Sequence, residues 1–106
     1  MAGNSLRERY EAEVRELAHL RAEWLAAGIG VEQVARRLHG KRRAIGVRYK
    51  LRTPLFGRRG QIAIYRRNLQ KYGHPLGPSI EWLRSRGRTW EEICESACRT
   101  GGRDLS

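Results

Sequence analysis

Long apolar runs are missing from this 106-residue chain, so nothing in it reaches the ~20 residues that cross a bilayer, and no membrane span is expected. The opening MAGNSLRERYEAEV holds no apolar h-region, which excludes a signal peptide on the chain as given. Cysteine is scarce. Cys94 and Cys98 are the only two, too few for a disulfide framework, and at i, i+4 on one helix they cross-link nothing distant. Period-two alternation is nearly absent, with Gln61 to Tyr65 the one stretch that could pass for a strand. The largest gap is in acid: residues 33–80 contain no Asp or Glu at all.

What is present answers that gap. The chain carries 22 Lys+Arg against 11 Asp+Glu, a net charge of +11, and 19 of the 22 cations are Arg. Residues 33–80 hold ten Arg and three Lys, a net of +13, while residues 1–32 carry four Arg against six Glu and residues 81–106 balance five against five. Arg presents a planar fork of five donors suited to phosphate, whereas Lys is a point charge. A cationic surface over 33–80 built to grip a polyanion is the expectation, with RNA, DNA or an acidic protein as its partner.

The apolar pattern is helical nearly throughout, which predicts a single all-α domain over 1–106, a compact bundle of about six short helices. A Ser5–Glu8 capping box opens the first, Leu6 to Ala27, with Leu6, Tyr10, Val14, Leu17 and Trp24 on one stripe and a stop at Gly28 or Gly30. Val31 to Leu38, a His39-Gly40 turn and a basic Lys41 to Leu51 together read as a helix-turn-helix-like hairpin. Its second helix would place Arg42, Arg43, Arg48 and Lys50 near phosphates or bases. Pro54 to Gly60 reads as a loop. Gln61 to Tyr72 follows, with Ile62, Tyr65, Leu69 and Tyr72 as its apolar stripe and Arg67, Asn68 and Lys71 off it, facing a ligand. Gly73 to Pro78 is an irregular loop, Ser79 opens a helix ended by Gly87, and a Thr89–Glu92 capping box opens the last.

Candidate chemistry gathers in the basic region. Tyr65 and Tyr72 interleave with Arg66, Arg67 and Lys71, and rings beside guanidiniums can stack on bases while clamping phosphate. His74 follows a helix end inside that region, and a histidine can accept or donate the protons of phosphodiester transfer. Asn68, Tyr49 and Arg67 complete the catalytic candidates. His19 and His39 read as surface or packing residues. A metal-dependent nuclease needs converging carboxylates, and here they would have to come from Glu81, Glu91 or Glu92, outside the basic stretch. RNA brings its own 2′-hydroxyl nucleophile, so a general base and cations suffice. No metal and no cofactor are expected.

Several segments resemble a known family. RAIGVRYK at 43–50 with Thr53-Pro54, IYRRN at 64–68, KYGHPLGPS at 71–79 and GRTWEEICESACRTGGRDL at 87–105 are similar to the C-terminal toxin modules of bacterial contact-dependent inhibition and Rhs-type polymorphic toxins. The resemblance covers roughly residues 8 to 105, and KYG-x-PLGP-[ST] is its most specific part. It implies a module carried by a larger secreted effector into the cytoplasm of a neighbouring bacterium. There it would act as a nuclease, often on tRNA, and be neutralised by a dedicated immunity protein. Here that partner should be acidic and cover 33–80. The relatives commonly have an acid or amide at the position of His74, which turns attention to Arg43, Lys50, Thr53, Tyr65, Arg67 and Asn68. The expected function is thus a metal-independent ribonuclease toxin. The alternatives are a non-catalytic helix-turn-helix DNA-binding protein and a basic adaptor that binds protein only.

Overall fold

The structure, a computed structural model, describes residues 5–52 and 57–100, with the side chains at 50–52, 57, 58 and 61 outside that description. The described residues form α1 (Leu6–Ala26), α2 (Val31–Arg52), α3 (Gly57–Tyr72), α4 (Ile80–Ser85) and α5 (Trp90–Ala97), with no strand among them. The expected all-α class holds, with five helices in place of about six.

The missing boundary is the turn at His39-Gly40. Residues 31–52 form one helix of 22 residues, so the helix-turn-helix hairpin is absent. One apolar stripe explains why. Val31, Ala35, Leu38, Arg42, Ile45 and Tyr49 recur at alternating steps of four and three, and a break at position 40 would point the two halves in different directions. Gly40 merely weakens the helix, by about 1 kcal/mol relative to Ala. Its φ is not positive, and a Cβ added there meets nothing within 4 Å. Gly40→Ala should therefore raise stability by about 0.5–1 kcal/mol, measured as an upward shift of the denaturant midpoint. A turn glycine at positive φ would respond with a loss of at least that size.

Helix ends follow the sequence closely. Ser5 Oγ accepts from Glu8 N–H at 3.2 Å, although the Glu8 carboxylate meets the Ser5 hydroxyl at 3.4 Å in place of the expected reciprocal backbone bond. At Thr89 the capping box is complete, with Glu92 Oε1 accepting from Thr89 N–H at 2.8 Å. Those bonds hold the Glu92 carboxyl below its usual range. Of the glycines expected to stop helices, Gly28 and Gly87 have φ of 88° and 81°. Each donates to the carbonyl three residues back, and the residue after each to the carbonyl five back, which is the Schellman arrangement. α3 begins at Gly57, so the part of the expected 54–60 loop that is described is helical. The proposed stop at Gly101-Gly102 lies outside the described residues.

Packing is centred on α2, which lies against both α1 and α5. Val14 and Leu17 of α1, Val34, Ala35, Leu38, Ile45 and Tyr49 of α2, and Ile93, Cys94 and Ala97 of α5 form the core, joined by Ile80 and Leu83 of α4. Both cysteines are reduced and Cys94 is buried, and burial pushes both thiols up. The described fold extends 42 × 40 × 18 Å along its principal axes, a flat shape with one short dimension.

None of the described side chains of α3 belongs to that core. Ile62 and Leu69, expected on its packed stripe, are 43% and 53% exposed. The side turned to the body carries Ile64, Tyr65, Asn68 and Tyr72, each half-buried. Tyr72 meets Trp82 edge-on, with ring centres 4.9 Å apart.

Candidate nucleic-acid interface

The thirteen cations of residues 33–80 do not make one uniform surface. On α2, Arg36 pairs with Glu32 at 3.1 Å and lies over the Trp90 ring, and Arg37 lies over Trp24. Arg48 pairs with Glu13 at 2.8 Å. Stacking of this kind covers half-buried rings with weakly hydrated guanidinium planes. Arg84 and Arg86 do the same for Trp90 and Trp82 from α4 and its cap. A good part of the arginine excess therefore packs tryptophan, a use that composition alone does not separate from phosphate binding.

The exposed cations with no carboxylate or tryptophan partner among the described residues lie elsewhere. Lys41 is exposed on α2, and Arg59, Arg66, Arg67 and Lys71 are exposed on α3. None of these five pairs with a carboxylate among the described residues; Lys71 touches only the neighbouring Tyr72 ring, at 5.2 Å. Arg59 and Arg66 are seven apart, close to two helical turns, so they share a face some 10 Å long with Arg67 and Lys71 beside it. The absence of acid in this stretch leaves that face without internal partners.

The KYGHPLGPS segment is clamped to both neighbouring helices. Asn68 Nδ2 donates to Pro75 O at 3.0 Å from α3, and Arg43 Nη2 donates to Pro78 O at 2.7 Å from α2. Leu76 N–H donates to His74 Nδ1 at 3.1 Å inside the loop. Three of the expected site residues thus hold the loop. Asn68 faces the body rather than a ligand, because an irregular loop must find donors for its carbonyls. Burial pushes the Arg43 guanidinium down, with Glu81 nearby opposing.

Tyr49 is in the core, 8% exposed, edge-on to Tyr10, and its hydroxyl donates to Glu13 Oε2 at 2.5 Å. Its hydroxyl and the Arg48 guanidinium thus meet on one carboxylate, on the α1 side of α2. Tyr65 is half-buried. The Lys50 side chain and Thr53 lie outside the described residues. Among those described, no group of three or more His, Cys, Asp or Glu is placed to hold a metal ion.

A cleft of about 200 Å³ opens where the loop meets α1 and α2. Arg42 and Arg43 line it with His39 and Gly46 from α2, Tyr10 from α1 and Leu76 from the loop. Tyr10 and His39 were not expected there. The readable signal was Arg42 itself, a cation at a core position of an apolar stripe, visible only once α2 is continuous through Gly40. Comparison of the chain with family models, curated proteins and solved structures finds no match.

Proposed function

We propose that this chain is an antibacterial toxin module that binds and cleaves RNA without a required metal, with tRNA the substrate class that its resemblance to polymorphic-toxin tips implies. In that setting it would be delivered as part of a larger effector, act in the target cell's cytoplasm and be neutralised by an acidic immunity protein. The observation that carries the RNA reading is the α3 face, where Arg59, Arg66, Arg67 and Lys71 stand exposed with no carboxylate partner among the described residues. A phosphate backbone supplies the missing charge, and an acidic partner covering α3 would block it.

In this reading Arg67 neutralises the phosphate as the 2′-oxygen bonds to phosphorus and the bond to the 5′-oxygen of the next nucleotide breaks. His74 takes a defined role from its hydrogen bond. With Nδ1 accepting from Leu76 N–H, the neutral ring carries its proton on Nε2 and supports the leaving 5′-oxygen as a hydrogen-bond donor, while the 2′-hydroxyl gives its proton to solvent and the leaving oxygen takes one from water.

The test is total bacterial RNA incubated with the purified chain in EDTA. Discrete new fragments are the expected result, lost on Arg67→Ala and His74→Ala while both variants keep wild-type helicity. Intact RNA together with a salt-sensitive shift of duplex DNA would move the protein to the DNA-binding class. Intact RNA and no nucleic-acid shift would leave the adaptor.

A further inference from the structure

We infer that the cleft between α1, α2 and the 73–78 loop is a binding site for a single tetrahedral oxyanion, a phosphate monoester or free phosphate. Arg42 carries the argument. It occupies a core position of the α2 stripe, is 8% exposed, and its Nε is buried with no hydrogen-bond partner. Its one contact of consequence is the Tyr10 ring, 5.0 Å from the guanidinium carbon. Arginine does not shed its proton to escape burial, so a fixed positive charge sits at a nearly covered position and its buried Nε–H has no acceptor. A buried charge is retained at such a cost only when something pairs with it, and here no carboxylate does.

The surroundings complete a receptor for an anion. Arg43 spends one nitrogen on Pro78 O and still lines the cleft beside Arg42, so two arginines border one space. Gly46, one turn beyond Arg42, presents no side chain there; a Cβ would come to 3.9 Å from Arg42 Nη1. His39 adds a wall. The volume of about 200 Å³ is below the ~300–1,000 Å³ of pockets that enclose drug-sized ligands. It admits a phosphoryl group, and anything larger attached to that group must leave through the mouth. The site is separate from the exposed α3 cations and extends the RNA reading without depending on it.

The full chain is titrated with sodium phosphate, and with sodium chloride at matched ionic strength, while the Arg Nε–H resonances and the melting temperature are followed. A saturable shift of the Arg42 resonance and a rise in Tm with phosphate alone are expected. Arg42→Met keeps the stem and removes the charge. It should melt no lower than wild type without phosphate, and bind phosphate about tenfold more weakly or worse, as loss of a charge-assisted bond implies. The α3 variant Arg66→Glu, Arg67→Glu, Lys71→Glu should keep the full phosphate response even where RNA binding is lost. This separates failure of the site from failure of the RNA reading.

RNA oligonucleotides ending in a 5′-phosphate or a 5′-hydroxyl then identify the source. Stronger competition by the phosphorylated one assigns the site to an RNA end, and equal behaviour of the two assigns it to free phosphate. The inference is overturned if the Arg42 resonance responds alike to both salts, or if Arg42→Met retains the phosphate-dependent rise. Should that variant fail to fold, the wild-type resonance decides alone.

Discussion

Replacing Arg66, Arg67 and Lys71 together by glutamate should weaken binding of single-stranded RNA by about 100-fold or more at 0.1 M salt. Each cation that neutralises a phosphate releases about 0.7 of a counterion from a single strand, so three lost contacts remove about two decades at that salt. The same loss appears as a slope: the plot of log affinity against log salt should flatten by about 2, because the slope counts phosphate contacts. Folding should be almost untouched. All three side chains are exposed on a helix that lends no described side chain to the core, and surface changes of this kind stay within about 0.5 kcal/mol. Filter binding across a salt series, with circular dichroism of the variant, checks both halves. Unchanged affinity and slope would remove α3 as the RNA-gripping element and leave Lys41 and the α2 arginines to be tested.

Leu38→Ala should cost about 2–5 kcal/mol, the range for a fully buried leucine whose cavity collapses only in part. Leu38 is 0% exposed, on the stripe of the helix that packs against both α1 and α5. In a domain of this size 1 kcal/mol moves Tm by roughly 4–8 °C, so the variant should melt at least about 8 °C lower. Leu69→Ala is the control. At 53% exposure it should fall within about 0.5 kcal/mol of wild type, whereas a packed-stripe position for Leu69 would give a loss of kilocalories. Thermal melts of the two variants side by side decide between those arrangements of α3.

Much of the secondary structure was legible because its signals are local. Ser5, Ser79 and Thr89 cap helices with side chains that reach only three residues, and Gly28 and Gly87 end them by a backbone conformation that only glycine adopts cheaply. The break at Gly40 was misread because glycine at a helix end and glycine inside a helix look the same in sequence. The difference lies in whether the residues on either side share one buried face. On α3 the apolar pattern points to Ile62, Tyr65, Leu69 and Tyr72, whereas the side turned inward, Ile64, Tyr65, Asn68 and Tyr72, is set by contacts made elsewhere: the Tyr72 ring against Trp82 and Asn68 on Pro75 O.

The site divides in the same way. Charge is a property of composition, so an excess of cations in 33–80 and the lack of acid to cancel it are fixed before folding. Which cations remain for a ligand is not. Arg36 and Arg37 are claimed by tryptophans, Arg48 by Glu13 and Arg43 by Pro78, each partner distant in the chain or on another helix, save for Glu32 beside Arg36. The amino-acid order by itself set the helices, their caps and the sign of the electrostatic field, since these depend on neighbours within a turn or on sums over residues. Tertiary contact alone decided that α2 runs unbroken, that the described side chains of α3 stay outside the core, and that Arg42 is carried inside. Those outcomes depend on which faces meet across long sequence separations, and packing geometry determines that where local pattern cannot.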